Sequence, residues 1–282
     1  VFLRLYEEQS IASAAGEARL LRHLASRGVS TPCPLERSDG AGFITPHGDK
    51  PCAIFPWIEG DMICLRGVTP KMAHDVGAAV ARVHLAGADF EGELPDRFDL
   101  TALRARLDTL PDGLDPEVAR VAEGLRERFE EVARAKAKSP SGGLIHGDLF
   151  RDNVLWREGA VAALLDFESA SRGSFAFDLA VTLLSWCYRE DLDATLASAM
   201  VRGYNETRPM TPLERGCLFD EAIFAAVRFT VTRITDFELR PRGAGVFKDY
   251  RRFYERLQTV ERLGRQGFDR LLFADPSSEA VG

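Results

Sequence analysis

The first sixty residues alternate short apolar runs with chain breakers. Val1-Phe2-Leu3-Arg4-Leu5-Tyr6 is rich in β-formers and predicts a strand. Ala14, Ala18, Leu21, Leu24 and Ala25 then recur at three- and four-residue spacing, one face of a helix that ends at Gly28. Pro32 and Pro34 break the chain. Phe43-Ile44 and Ala53-Ile54-Phe55 flank a hairpin turn at residues 47–50, and the second run passes through Pro56-Trp57-Ile58-Glu59-Gly60 into a connector. Beyond it the apolar period becomes helical. Thr69-Pro70 supplies an N-cap and a first-turn proline for a helix that carries Met72, Val76, Ala79, Val80 and Val83 inward as far as Gly87. Further helices are expected from Pro116 to about Lys138, from Asp178 through Trp186, over 212–236 and over 249–264. The pattern predicts an α+β protein with a small β-rich lobe at residues 1–57 and a larger, mainly helical lobe at 58–282.

One strand-like interruption in the helical half carries the chemistry. Val154-Leu155-Trp156 and Val161-Ala162-Ala163-Leu164-Leu165 flank the turn candidate Arg157-Glu158-Gly159-Ala160. His146-Gly147-Asp148 leads into this hairpin, Asn153 opens it, and Asp166-Phe167 closes it. A hairpin centred on Gly159–Ala160 makes Asn153 and Asp166 cross-strand partners, with Cβ atoms roughly 4.5–5.5 Å apart. An amide oxygen and a carboxylate at that spacing can share one Mg²⁺, which prefers oxygen ligands. Asp148, on the entering loop, is placed to accept a proton from a substrate hydroxyl. The series His-x-Asp-x-x-x-x-Asn, then Asp-Phe, has the order and spacing of a kinase catalytic loop and metal-binding strand. Any one of these acids alone would read as a turn cap; the ordered set points to phosphoryl transfer. His47-Gly48-Asp49 repeats the tripeptide without the downstream Asn and Asp, and reads as a turn only.

Composition narrows the partners. With 282 residues, 45% hydrophobic and 28% charged, the chain is that of a soluble globular protein large enough for two lobes on a shared core. A net charge of −7 argues against nucleic acid as a partner, and no apolar run approaches the length of a membrane span. Cys33, Cys52, Cys64, Cys187 and Cys217 are scattered and odd in number, as expected of reduced, mostly buried thiols in a cytoplasmic protein. A small-molecule substrate remains.

Arg4 on the first strand and Glu17 on the next helix are expected to pair and present a cation to ATP phosphates, as a strand lysine and a helix glutamate do in protein kinases; a plain surface ion pair is the simpler reading. Phe55 and Trp57 are expected to face the adenine, or else to be core residues. Asp178 can cap the following helix, hold the catalytic loop from below, or both. His146 is expected to orient that loop. A glycine-rich phosphate loop is not found in the chain and, in kinase order, would lie upstream of Val1.

The His146–Trp156 segment resembles the His-Gly-Asp-Leu-Phe-x-Asp-Asn-Val-Leu stretch of the aminoglycoside phosphotransferase and choline kinase superfamily, and most closely that of its homoserine kinases. His84-Leu85-Ala86-Gly87, Phe177-Asp178-Leu179-Ala180 through Trp186-Cys187, Arg208-Pro209-Met210-Thr211, and Arg228-Phe229 with Thr232-Arg233 and Asp236 extend the likeness over almost the whole chain. Arg151 departs from it, standing where a proline is common. The resemblance implies a two-lobed protein-kinase-like fold, ATP and Mg²⁺, Asp148 as base, Asn153 and Asp166 as metal ligands, and Arg4 as a phosphate contact. For a homoserine acceptor, which bears both charges, Arg233 and Asp236 are the candidate partners and Trp186 a candidate wall; surface salt bridges are the alternative for that pair. Choline, ethanolamine or an aminoglycoside is the competing acceptor, and a non-catalytic nucleotide-binding regulator is the reading from another class.

Overall fold

The computed structural model describes residues 1–7, 9–94, 98–140, 142–240 and 247–273. Strand β1 (Phe2–Leu5) pairs antiparallel with β3 (Lys50–Phe55), which pairs on its other side with β2 (Thr45–His47), giving a sheet in the order β1-β3-β2. β2 and β3 join through the turn expected at Gly48, whose φ of 63° suits glycine. In β1 the two-residue period puts Phe2 and Arg4 on one face, and Phe2 lies opposite Phe55 of β3. Helix α1 (Ile11–Ser26), capped by Ser10, packs Ala14, Glu17, Ala18, Leu21 and Leu24 inward.

The remainder is mainly helical. Thr69 caps α2 (Pro70–Ala86) by accepting from the Met72 amide at 3.3 Å. α3 (Leu100–Asp108), α4 (Pro116–Lys136), α5 (Phe175–Trp186), α6 (Ala194–Thr207), α7 (Pro212–Arg233) and α8 (Arg251–Phe273) follow, α8 being interrupted at Gly264. Every residue of α5 from Ala176 to Trp186 is buried, so it forms the spine of this part. α2 and α6 meet backbone to backbone: a Cβ on Gly77 would stand 2.0 Å from the Met200 carbonyl oxygen, and one on Gly203 2.0 Å from that of His74.

Two pairs of strands interrupt the helices. β4 (Gly143–Ile145) pairs with β7 (Ser171–Gly173), and between them β5 (Val154–Arg157) and β6 (Ala160–Leu164) form the expected hairpin. Asp61 in the connector makes both backbone hydrogen bonds with Trp156 of β5, at 2.8 and 2.9 Å. This bridge fixes the small sheet's exit over the catalytic hairpin.

Three sequence expectations need correction. α5 begins at Phe175 with Ser174 as its cap, so Asp178 lies inside the first turn instead of starting the helix. α3, α6 and the β4–β7 pair were not foreseen; each of those strands has only three residues, too few to show a period. All five cysteines are free, but only Cys187 and Cys217 are buried and Cys64 is exposed. Among the described residues, no helix is long and apolar enough to cross a membrane.

Candidate active site

The loop from His146 to Asn153 hangs between β4 and β5 and is held by main-chain hydrogen bonds to side chains from several helices. Gly147 has φ 76°, and a Cβ there would lie 2.7 Å from the Ser169 carbonyl oxygen, so only glycine fits. The amides of His146 and Gly147 donate to the two oxygens of Asp178, at 2.9 and 2.7 Å. Arg228 of α7 donates to the Gly147 carbonyl at 2.8 Å. His146 Nε2 donates to the Leu165 carbonyl at 2.9 Å while its Nδ1 faces the Asp148 amide, the orienting part expected of it. Asn153 Nδ2 donates to the Asp148 carbonyl at 2.7 Å, which turns the amide oxygen the other way.

Beneath the loop lies a buried polar row. His84 of α2 sits 2.9 Å from Asp178 and 2.8 Å from the Tyr204 hydroxyl; Arg208 reaches that hydroxyl at 3.0 Å and Glu214 at 2.7 Å. Glu214 belongs to the capping box that starts α7. Burial keeps His84 below its usual pKa, hence neutral. Burial pushes the Asp178 carboxyl up, but the hydrogen bonds from His84 and the His146 amide outweigh it, so the group stays below the usual carboxylate range.

Asp148 is the opposite case. Its Oδ1 is buried with no partner among the described residues, and burial pushes the carboxyl up to about 7 although Arg228 and Lys248 pull it down. A carboxyl poised near neutrality is what a general base for a hydroxyl requires.

The hairpin register differs from expectation. The turn is Glu158–Gly159, both at positive φ, and a bulge interrupts the pairing at Leu155/Trp156. The Leu165 amide therefore donates to the Asn153 carbonyl at 2.8 Å, and Asp166 falls one residue past the pairing. Asp166 adopts a left-handed backbone, φ 59° and ψ 69°, a conformation a non-glycine residue holds at a cost. Asn153 and Asp166 nonetheless line the same cavity of about 680 Å³, together with Arg4, Glu17, Phe55 and Trp57. One end of this cavity is apolar and the other charged. Arg4 donates to Glu17 at 3.0 Å, forming the expected pair, and reaches Asp166 at 3.5 Å and also Glu168. Burial, relieved in part by Arg4, raises Glu17 to about 7.

Among the described residues no cluster of three or more acidic, histidine or cysteine side chains gathers to hold a metal unaided. The donor set of one carboxylate and one amide oxygen fits Mg²⁺, which is commonly held by one or two protein groups plus substrate phosphates and water.

A second cavity, of about 500 Å³, also meets the loop, lined by Phe150, Arg151 and Asp152 and by Arg233, Lys248 and Arg256. Arg233, one of the candidate acceptor residues, lines it. Its expected partner does not: Asp236 is tied to Arg106 of α3 at 2.6 Å and does not line this cavity. Nor does Trp186 form a wall. It is wholly buried, and its Nε1 donates to the Leu149 carbonyl at 3.0 Å, supporting the loop from within the core. The sequence shows Arg151 only as a departure from the family pattern and gives no role to Arg256; for the latter the apolar period of α8, broken by an arginine at a buried position, is the available signal.

Residues 1–213 match the family model described as the phosphotransferase enzyme family. The chain is 34% identical to a homoserine kinase of Rhizobium etli over 87% of its own length and 76% of that protein's. It is 33% identical to a homoserine kinase of Parvibaculum lavamentivorans over 91% of its length and 80% of the relative's. Among solved structures, an amicoumacin kinase in complex with AMP-PNP, Ca²⁺ and Ami superposes with a TM-score of 0.72 at 15% identity, covering 92% of this chain and 80% of the other. That likeness establishes the protein-kinase-like fold. The chain belongs to the phosphotransferase enzyme family, in the part of it populated by homoserine kinases.

Proposed function

We propose that the protein transfers the γ-phosphoryl group of ATP to the hydroxyl of L-homoserine, with Mg²⁺, giving O-phosphohomoserine and ADP. The observation that carries this reading is Asp148, a carboxyl poised near neutrality with a buried, unpartnered Oδ1, on a loop whose residues Phe150–Asp152 line one cavity and whose Asn153 lines another. Residues 1–57 and the hairpin form the nucleotide side: Phe55 and Trp57 meet the base, and the Arg4–Glu17 pair meets the phosphates. Asn153 and Asp166 would hold the metal, which when bound neutralises phosphate charge. Residues 58–282 supply the loop and the acceptor side. Asp148 orients the hydroxyl and takes its proton as the new P–O bond forms and the bond to ADP breaks.

The sign of the second cavity bears on the competing acceptors. Choline calls for an aromatic cage around a cation, and an aminoglycoside for an acidic cleft. A lining with five basic side chains (Arg151, Arg233, Lys248, Arg252 and Arg256) suits neither. Intact Asp148, Asn153 and Asp166 speak against a regulator without transfer activity. The test is ADP release by the purified protein with ATP and Mg²⁺, offering L-homoserine, choline, ethanolamine or kanamycin. Homoserine should support turnover well above the others. Faster turnover with choline or kanamycin would replace the acceptor, and ADP release that no acceptor stimulates would remove the kinase assignment.

A further inference from the structure

Arg151, Arg233 and Arg256 converge on the second cavity without an ion-pair partner among the described residues. Arg233 and Arg256 are each only 8% exposed. Their hydrogen bonds go to main-chain carbonyls: Arg233 Nη1 to Asp249 at 2.9 Å, Arg256 Nε to Leu184 at 2.7 Å and its Nη1 to Arg252, and Arg151 Nη1 to Ser185. The Nε atoms of Arg151 and Arg233 are buried and meet no acceptor. Nη2 of neither Arg233 nor Arg256 donates to a described residue. Both guanidiniums lie over the ring of Phe253, at 4.5 and 4.7 Å from its centroid, which fixes their planes. Burial and then repulsion from neighbouring arginines hold Arg233 down at about 10 and Arg256 at about 9.

Buried, oriented cations without an ion-pair partner among the described residues, with only longer-range attraction from Asp148, Asp249 and Asp152 on Arg233, leave a deficit that an anion of the right shape would fill. Asp152 is the one acid among the described residues lining the cavity, and it is exposed. A fixed group of cations beside a single carboxylate matches the two charges of an amino acid. We infer that this cavity seats the α-carboxylate of an amino-acid acceptor, with Arg233 and Arg256 as its partners and Asp152 facing the ammonium, and that it thereby selects an amino acid over the amino alcohol of the same chain length. The inference rests on the kinase reading for its substrate and deepens it: selection lies in Arg233 of α7 and Arg256 of α8, not in the Arg233–Asp236 pair.

L-homoserine and 3-aminopropan-1-ol differ only in the carboxylate, so the ratio of their kcat/KM values isolates the seat. The intact chain should favour homoserine by about 30-fold or more, the usual lower consequence of leaving one side of a buried charged pair empty. Arg233→Gln and Arg256→Gln should each shrink that ratio at least tenfold. A ratio near one in the unmodified protein, or one that both variants leave unchanged, overturns the inference while the kinase reading stands. If a glutamine variant fails to fold, Arg233→Lys, which keeps the charge and loses the fork, is read by the same ratio. A thermal shift separates the two readings. Homoserine that raises the melting temperature of the unmodified protein, when 3-aminopropan-1-ol does not, supports the seat even if phosphate transfer is undetectable; equal shifts from both compounds count against it.

Discussion

The upper and lower faces of the catalytic loop each carry an aspartate, and the two have been driven in opposite directions. Asp178 below is wholly enclosed yet stays ionised, because two loop amides and His84 surround its oxygens. Asp148 above is less enclosed by surface area but has an orphan oxygen, and its carboxyl rises to about 7. Burial alone therefore does not decide what a carboxylate does; the supply of N–H donors does. The loop is anchored where donors are complete and carries a raised carboxyl where one is missing.

The comparison breaks most visibly at Asp148. Asp148→Asn should lower kcat by about 10²–10⁴-fold, the range for losing a positioned base, while nucleotide Kd changes little. Steady-state kinetics beside a nucleotide titration would show it, and a loss under tenfold would take the base role from Asp148. Asp178→Asn should act through stability instead. Turning an NH₂ group toward the loop amides or His84 leaves buried donors unmatched, at about 3 kcal/mol, read as a lower urea midpoint. An unchanged midpoint would mean that the loop is held by its other anchors.

The smallest effect sharpens the contrast through pH. The folded Asp148 carboxyl, at about 7, lies above its unfolded value of about 3.9, so its ionisation disfavours the fold. The stability this group provides is fully present below about pH 4 and is lost as pH rises through 7. Asparagine has no proton to lose. Asp148→Asn should therefore be more stable than the unmodified protein at pH 8 by 1 kcal/mol or more, with the difference closing toward pH 4. Paired denaturation curves at pH 8 and pH 5 would check the sign, and a variant less stable at pH 8 would refute it.

How far the sequence could be read follows from where the information lies. Asp148, Asn153 and Asp166 stand within one contiguous stretch with a hairpin between them, so order and spacing were enough to gather them. Their register was not: the turn falls at Glu158–Gly159, one residue earlier than Gly159–Ala160, which moves the partner of Asn153 back by two, and the bulge beside Leu155, invisible to a period-two pattern, restores only one. Asp178 could be read only as a cap or a prop, since its partners come from α2 and the loop, 94 and 32 residues away. Trp186 suggested a wall because aromatic side chains often line pockets, yet its indole N–H serves the loop from the core. Asp236 is a candidate beside Arg233 because homoserine bears both charges. Arg106, which holds it, belongs to α3, a nine-residue helix with only Leu103 and Leu107 buried, and so with too short a period to announce itself.

The row from Glu214 to Asp178 has one further property, a grammatical one. Arginine can give protons in hydrogen bonds but never receive them. Arg208 must therefore give to the Tyr204 oxygen, which spends its single proton on His84 Nδ1; His84 in turn keeps its own on Nε2, toward Asp178. The order cannot be reversed at one member without being reversed at all of them, and the guanidinium at one end forbids that. The row is a sentence with a single reading, and its last word is the shape of the loop that carries Asp148.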